Sequence, residues 1–210
     1  AAPVSSESLF RFAALSDALL APYSGLVRAG VSPGTLCVIL GGGARAALAV
    51  VACRALGADA VVLCPEQEER IRLCSPPYGA LAALDASSLD AKAALAELVR
   101  LCQQAGLPPH GLLLLETSGS DAGRARALSL LEAGGTAILL ERPQPLGGTP
   151  AKISLPAELN AGPGLAGMAP LETVAAEGCT ILGAGPPHPD LLPELLALVE
   201  RAGLDLAALT

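Results

Sequence analysis

A glycine-rich turn between an apolar run and an alanine-rich segment constrains the fold of this chain more than any other feature. Residues 36–40 form a short continuous apolar run, which is typical of a strand buried on both faces. Gly41-Gly42-Gly43-Ala44-Arg45-Ala46 follows and fits the pattern G-x-G-x-x-G/A, and residues 44–56 are predicted to form a helix. In this pattern the glycines permit a tight turn and the close approach of a diphosphate, and the last small residue lets helix and strand pack closely. The segment therefore predicts a phosphate-binding turn, with a plain glycine turn as the alternative.

The rest of the chain alternates between short apolar runs and segments of helical periodicity. Further strands are predicted at residues 60–64, 80–84, 111–115, 136–140 and 179–182. Further helices are predicted at residues 17–29, 66–73, 89–105, 120–133 and 191–202. This order predicts the α/β class, with a doubly wound parallel sheet of six strands and helices on both faces. Residues 143–177 show little periodicity and are expected to form a long loop with a short helix.

Composition restricts the partners that the chain can have. Hydrophobic residues make up 52% of the 210 residues and charged residues 16%, so we expect some apolar surface to be covered by a partner, with a thoroughly buried parallel sheet as the alternative explanation. The net charge of −7 and the scattered Lys and Arg argue against nucleic acid. No apolar run reaches the roughly 18 residues of a membrane span, and no signal peptide is expected. Several of the six cysteines sit inside apolar runs, and buried thiols are expected rather than disulfides, which favours the cytoplasm.

Several short segments around these elements carry a family resemblance. They include Ser16-Asp17-Ala18, Ala55-Leu56-Gly57-Ala58, Glu116-Thr117-Ser118-Gly119-Ser120 and Gly134-Gly135-Thr136. They resemble the cofactor-binding domain of zinc-type medium-chain alcohol dehydrogenases. Within that family the chain is similar to the 6-hydroxycyclohex-1-ene-1-carbonyl-CoA dehydrogenases, notably over residues 98–131. The resemblance implies an N-terminal extension at residues 1–15 and a Rossmann domain at residues 16–210, with the GroES-like catalytic domain absent.

The resemblance also implies a cleft for NAD(H). Its residues would be Gly41, Gly43, Arg45 and Ala46 at the diphosphate, Glu66 at the ribose, and Ser118, Gly119 and Ser120 on the nicotinamide side. A zinc site is not expected, because His110 and His188 are the only histidines and the family's closely spaced structural cysteines are missing. No residue is assigned a catalytic role, and Ser120 is expected to be a helix cap.

Three positions depart from the family pattern around that cleft. Pro65 stands where the acid that binds the ribose is expected, and it offers neither a carboxylate nor an N–H. Arg45 replaces a small apolar residue, and Glu141-Arg142 replaces a glycine-containing turn. Glu66 is expected to face solvent at the start of a helix, and Glu68 and Glu69 to lie on an exposed helix face. We therefore expect weakened NAD(H) binding.

Three hypotheses of function follow from these departures. The leading one is a non-catalytic binding or assembly module with a degenerate dinucleotide cleft, which is a pseudoenzyme. The alternative is the NAD(H)-binding domain of an oxidoreductase whose catalytic groups lie on another chain or in a part of the protein outside this sequence. A third is a domain that binds another adenosine-containing ligand, such as a CoA ester or S-adenosylmethionine, because fold alone does not fix function.

The last predicted strand, residues 179–182, would lie at an edge of the sheet. Bare edges invite pairing with another chain, and members of the resembled family pair this edge across a two-fold axis. We expect a homodimer, or a partner protein, at the same edge.

Overall fold

The computed structural model describes residues 18–131, 134–140, 178–184 and 189–201. The sequence predictions for Glu141, Arg142, His188 and residues 143–177 lie outside these ranges. The strands are β1 Leu36–Leu40, β2 Asp59–Cys64, β3 Ala82–Asp85, β4 Leu113–Glu116, β5 Thr136–Leu139 and β6 Thr180–Gly183. The helices are α1 Leu20–Arg28, α2 Gly43–Ala55, α3 Gln67–Cys74, α4 Ala91–Ala105, α5 Asp121–Ser129 and α6 Leu192–Arg201, the last preceded by the 3₁₀ turn Pro189–Leu191.

The six strands form one parallel sheet in the order β3-β2-β1-β4-β5-β6. The chain moves outward from β1 to β2 and β3, and then returns to the other side of β1 to add β4, β5 and β6. The strand order therefore reverses between β1 and β4, and in sheets of this kind ligands bind at the carboxyl ends of the strands at that point. The predicted doubly wound, six-stranded α/β fold is confirmed.

Apolar side chains alternate between the two faces of the sheet. On β1, Cys37 and Ile39 belong to one core cluster, and Val38 and Leu40 belong to the other. Helices α1 and α2 cover the first face together with Leu195 of α6, and α4 and α5 cover the second. All five residues of β1 are buried, as the continuous apolar run predicted. The sheet thus lies between two layers of helices.

Local backbone chemistry explains where elements begin later than predicted. Strand β4 begins at Leu113 rather than at residue 111, because Gly111 has a φ of +68° and turns the chain before the strand. Strand β3 begins at Ala82 rather than at residue 80. The N–H of Ala80 donates to the carbonyl of Leu73 at 2.9 Å, so Ala80 belongs to the turn that follows α3.

Two long-range contacts connect the first helix to the last elements of the chain. The Tyr23 hydroxyl of α1 donates to a carboxylate oxygen of Glu194 in α6 at 2.9 Å. Arg28, at the end of α1, donates to the carbonyls of Gly183 and Ala184 at 2.9 and 3.0 Å. These bonds connect α1, which covers the first face of the sheet, to the end of β6 and to the start of α6.

Two isoleucines provide a matched test of this core. Ile39 is fully buried in β1, whereas Ile71 of α3 is 61% exposed. We expect Ile39→Ala to lower the free energy of unfolding by about 2–5 kcal/mol, because it leaves a cavity beneath the helices. The change Ile71→Ala should alter it by no more than about 0.5 kcal/mol. Urea denaturation of both variants measures the difference, and equal losses would contradict the assigned layers.

Candidate functional site

The glycine turn lies where the carboxyl ends of β1, β2 and β4 meet. Gly41 has a φ of +126°, and its N–H donates to the carbonyl of Leu63 in β2 at 3.0 Å. A Cβ at Gly41 would lie 2.7 Å from the Thr117 hydroxyl oxygen, and one at Gly42 would lie 2.9 Å from the Cys64 sulfur. Both distances are shorter than those of real Cβ contacts, so a side chain at either position would have to displace the Thr117 hydroxyl or the Cys64 thiol, and at Gly41 the positive φ adds backbone strain. Helix α2 then begins at Gly43.

Ala46 and Arg45 occupy different positions in the first turn of α2. Ala46 is fully buried in the core between helix and sheet, as its role in the predicted pattern requires. Arg45 is half-buried. The predicted diphosphate group of residues is therefore brought together at one end of β1.

The strand order reverses between β1 and β4, and on the β4 side the chain leaves the sheet through a hydrogen-bonded turn. The Thr117 hydroxyl donates to the carbonyl of Leu40 at 2.9 Å and so connects the ends of β4 and β1. Ser120 accepts the N–H of Gly123 at 2.9 Å and caps α5, which confirms its predicted structural role. The hydroxyl oxygens of Ser118 and Ser120 lie 2.7 Å apart. Ser118, Gly119 and Ser120 therefore lie at the same sheet edge as the glycine turn.

Glu116 organises this turn, and its role could not be assigned from the sequence. The residue is fully buried at the end of β4. Its carboxylate accepts the N–H and the hydroxyl of Ser118 at 2.7 and 2.5 Å, and the N–H of Gly119 at 3.1 Å. A buried carboxylate is stable only with such partners. The signal in the sequence was an acid at the end of a run of four leucines. That this acid bonds to Ser118 and Gly119 is evident only from the folded turn.

The ribose side of the predicted cleft contains Pro65 and Glu66, and both are exposed. Pro65 supplies no carboxylate. Glu66 precedes α3, and its Oε2 accepts the Cys64 thiol at 2.9 Å. This oxygen lies 3.6 Å from the position of a Cβ at Gly42. Burial, followed by this bond to Glu66, raises the pKa of Cys64 to about 11, so the thiol remains protonated near neutral pH.

Glu69 contacts the glycine turn directly, and its predicted place on an exposed helix face did not include this contact; its side chain is 29% exposed. Its Oε2 accepts the N–H of Gly43 at 2.9 Å, across 26 positions of sequence. Arg72 donates to the two carboxylate oxygens of Glu69 at 3.1 and 2.7 Å. The bonded Arg72 guanidinium lowers the pKa of the Glu69 carboxyl, burial opposes that shift, and the Gly43 N–H adds to it. The acid–arginine spacing was visible in the sequence, whereas the contact with Gly43 was not.

A second arginine joins the ends of β2 and β3. Arg70 donates to the carbonyls of Cys64 and Pro65 at 2.8 and 2.6 Å and lies 3.5 Å from a carboxylate oxygen of Asp85.

In the part of the chain that the structure describes, no group of three or more His, Cys, Asp or Glu residues could hold a metal ion. Among the same residues, no helix has the length and apolar character that crossing a membrane requires.

Solved structures similar to this chain include alcohol dehydrogenases. One from Thermotoga maritima matches 99% of this chain and 51% of its own length, with a TM-score of 0.69 and 17% identity. One from the archaeon Aeropyrum pernix matches 94% and 49%, with a TM-score of 0.66 and 21% identity. The chain has a Rossmann fold. A zinc-binding dehydrogenase from Sinorhizobium meliloti, solved bound to NADP, matches 92% of this chain and 49% of its own length, with a TM-score of 0.63 and 21% identity.

The Rossmann domain thus spans about half the length of the solved structures that it resembles. No protein-family model matches the sequence, and no curated protein matches it. At this level of identity the likeness establishes the fold alone. The finer resemblance to 6-hydroxycyclohex-1-ene-1-carbonyl-CoA dehydrogenases stays a prediction.

Gly41 and Gly34 allow a test of the close approach at the turn. Both have positive φ, but a Cβ at Gly34 would meet nothing within 4 Å. We expect Gly34→Ala to cost about 1–2 kcal/mol, from the backbone alone. The change Gly41→Ala should cost more, because its φ of +126° lies farther from the left-handed helical region than the +88° of Gly34 and because Thr117 must also move away. Chemical denaturation of the two variants measures this difference, and an equal or smaller loss for Gly41→Ala would contradict the described contact.

Proposed function

We propose that this chain is an alcohol-dehydrogenase-like Rossmann domain that serves as a binding or assembly module, with a cleft that binds dinucleotides weakly. The observation that carries the proposal is the bond between the Glu69 carboxylate and the N–H of Gly43. In a phosphate-binding turn the N–H groups at the start of the helix face the anion. Here one of them already has a carboxylate as its acceptor.

Coulomb energies indicate how strongly the Glu69 carboxylate would repel a bound diphosphate. Two unit charges 4 Å apart interact with about 1 kcal/mol in bulk water and about 4 kcal/mol near a protein surface. A diphosphate beside Glu69 would meet a repulsion of this order, offset in part by Arg72, which is bonded to the same carboxylate. Pro65 lowers the expected affinity for NAD(H) further, because its side chain offers the ribose hydroxyls no acceptor. The residues present therefore fit a bound NAD(H) poorly.

A second candidate function is NAD(H) binding within an oxidoreductase whose catalytic groups lie outside this domain. The intact form of the turn favours it, since Gly41 and Gly42 keep the close approach and Ala46 keeps the tight packing of helix on sheet. The NADP bound to the Sinorhizobium meliloti protein is a property of that protein. It makes NADPH a probe worth testing beside NADH.

Titration with NADH and NADPH separates the two functions. A ligand present at 100 times its Kd stabilises a protein by about 2.7 kcal/mol, which shifts the melting temperature visibly. Under the proposed function we expect no shift at ligand concentrations that saturate an ordinary dehydrogenase, and no change in the nicotinamide fluorescence. A clear shift, with quenched or enhanced fluorescence, would establish the second candidate instead.

The assembly part of the proposal concerns the edge strand β6. Within the described residues β6 pairs with β5 alone. The N–H of Thr180 donates to the turn before β5, and the N–H of Ala184 donates to β5 itself. The N–H groups of Ile181 and Gly183 therefore point away from β5. The guanidinium of Arg28 already donates to the carbonyl of Gly183. Among the described residues no strand pairs with these two donors, which are suited to pairing with a strand of a second chain.

Two substitutions of Gly183 test assembly through this edge. A Cβ at Gly183 would meet nothing within 4 Å, so Gly183→Ala keeps both the fold and the outward N–H. The change Gly183→Pro removes that N–H and leaves the donors to β5 in place. We expect light scattering to give an oligomer for the unchanged protein and Gly183→Ala, and a smaller species for Gly183→Pro. A monomer before any substitution would refute assembly through β6.

A further inference from the structure

The start of α2 is capped by a side chain from another element. Its N-cap residue is Gly42, which has no side chain to accept an N–H, and its first turn contains no acidic residue. Helices α4 and α5 begin at the same edge of the sheet, and each is capped by its own N-cap residue, Asp90 and Ser120. The first N–H of α2 instead bonds to Glu69 of α3.

The Glu69 carboxylate is held in place from its other side. Arg72 bonds to both of its oxygens and also donates to the Tyr78 hydroxyl at 3.0 Å. The guanidinium carbon of Arg72 lies 5.0 Å from the centre of the Tyr78 ring, within the range of a cation–π contact. Because these contacts fix the arginine, they fix the carboxylate that it pairs with. Glu69 is therefore a positioned acceptor at the turn.

Resting on the proposed function, we propose that Glu69 determines the ligand selectivity of this turn. Its carboxylate occupies the hydrogen-bonding position that a phosphate oxygen would use, so it acts as an internal competitor of diphosphates. A nucleoside without phosphate brings no negative charge to the turn and does not compete with Glu69. The cleft then discriminates by charge between adenosine-type ligands and dinucleotides.

Two variants of Glu69 test this selectivity. The change Glu69→Gln removes the charge and keeps an acceptor, and Glu69→Ala removes the acceptor as well. Glu68 is exposed and adjacent, so Glu68→Gln is the control for the loss of one negative charge. Binding of NADH, ADP and adenosine is measured by calorimetric titration for the unchanged protein and all three variants. Circular dichroism and thermal melting verify that each variant is folded.

We expect both Glu69 variants to bind NADH and ADP roughly tenfold more tightly than the unchanged protein, which corresponds to about 1.4 kcal/mol. Adenosine binding should stay within about twofold, since removing one surface charge changes little for a neutral ligand. Glu68→Gln should behave as the unchanged protein. If Glu69→Ala is poorly folded, Glu69→Gln alone decides, because it keeps the hydrogen bond that caps α2.

Failure of this inference differs from failure of the proposed function. Tight NADH binding by the unchanged protein overturns the proposed function, whatever the variants do. Weak or undetectable binding of NADH and ADP by the unchanged protein and by folded Glu69 variants overturns the selectivity role alone. An equal gain for adenosine also overturns it, because the turn would then have been opened without regard to charge.

Discussion

The close approach of three strand ends around a turn without side chains is the constraint on which the rest of the structure depends. At Gly41 the chain passes beside the Thr117 hydroxyl, and at Gly42 it passes beside the Cys64 sulfur. This approach brings the end of β1 close to the residues that follow β4 and to the last residue of β2. Because α2 starts immediately afterwards, the same turn aims the first N–H groups of that helix at the sheet edge where α/β folds bind ligands.

The absence of side chains at this turn has an energetic consequence for α2. A side-chain N-cap contributes about 1 kcal/mol to a helix, and Gly42 cannot supply one. Glu69 makes up for this by bonding to Gly43 from α3, and the positive end of the helix dipole favours a carboxylate there. One hydrogen bond thus stabilises the start of α2 and, under our proposal, lowers the affinity of the turn for anions. Stability and ligand binding would then oppose each other at this position.

The features that were predicted from the sequence are decided by neighbouring residues, although the bonds of Glu116 to Ser118 and Gly119 are also local and were not predicted. The bounds of β1 were predicted without error, because a continuous apolar run ends at a glycine turn, and Ser120 was recognised as a cap because its acceptor role is local. Strands β3 and β4 begin two residues later than predicted, since Ala80 and Gly111 belong to turns. Glu69 was missed because its partner lies 26 positions away, and its bond exists only once α3 packs beside the turn.

The charged side chains around the turn are paired within the protein, and our proposal about ligand affinity depends on that pairing. Arg70 and Arg72 lie at the carboxyl edge near β2, where cationic groups could neutralise phosphates, yet both are engaged within the protein. Arg70 bonds to backbone carbonyls at the end of β2, and Arg72 bonds to Glu69 and Tyr78. A diphosphate would have to break these bonds to recruit either guanidinium, and it would then expose Glu69 without its partner. The proposed selectivity of the cleft therefore rests on how these side chains pair with one another, and the backbone likeness to alcohol dehydrogenases does not report that pairing.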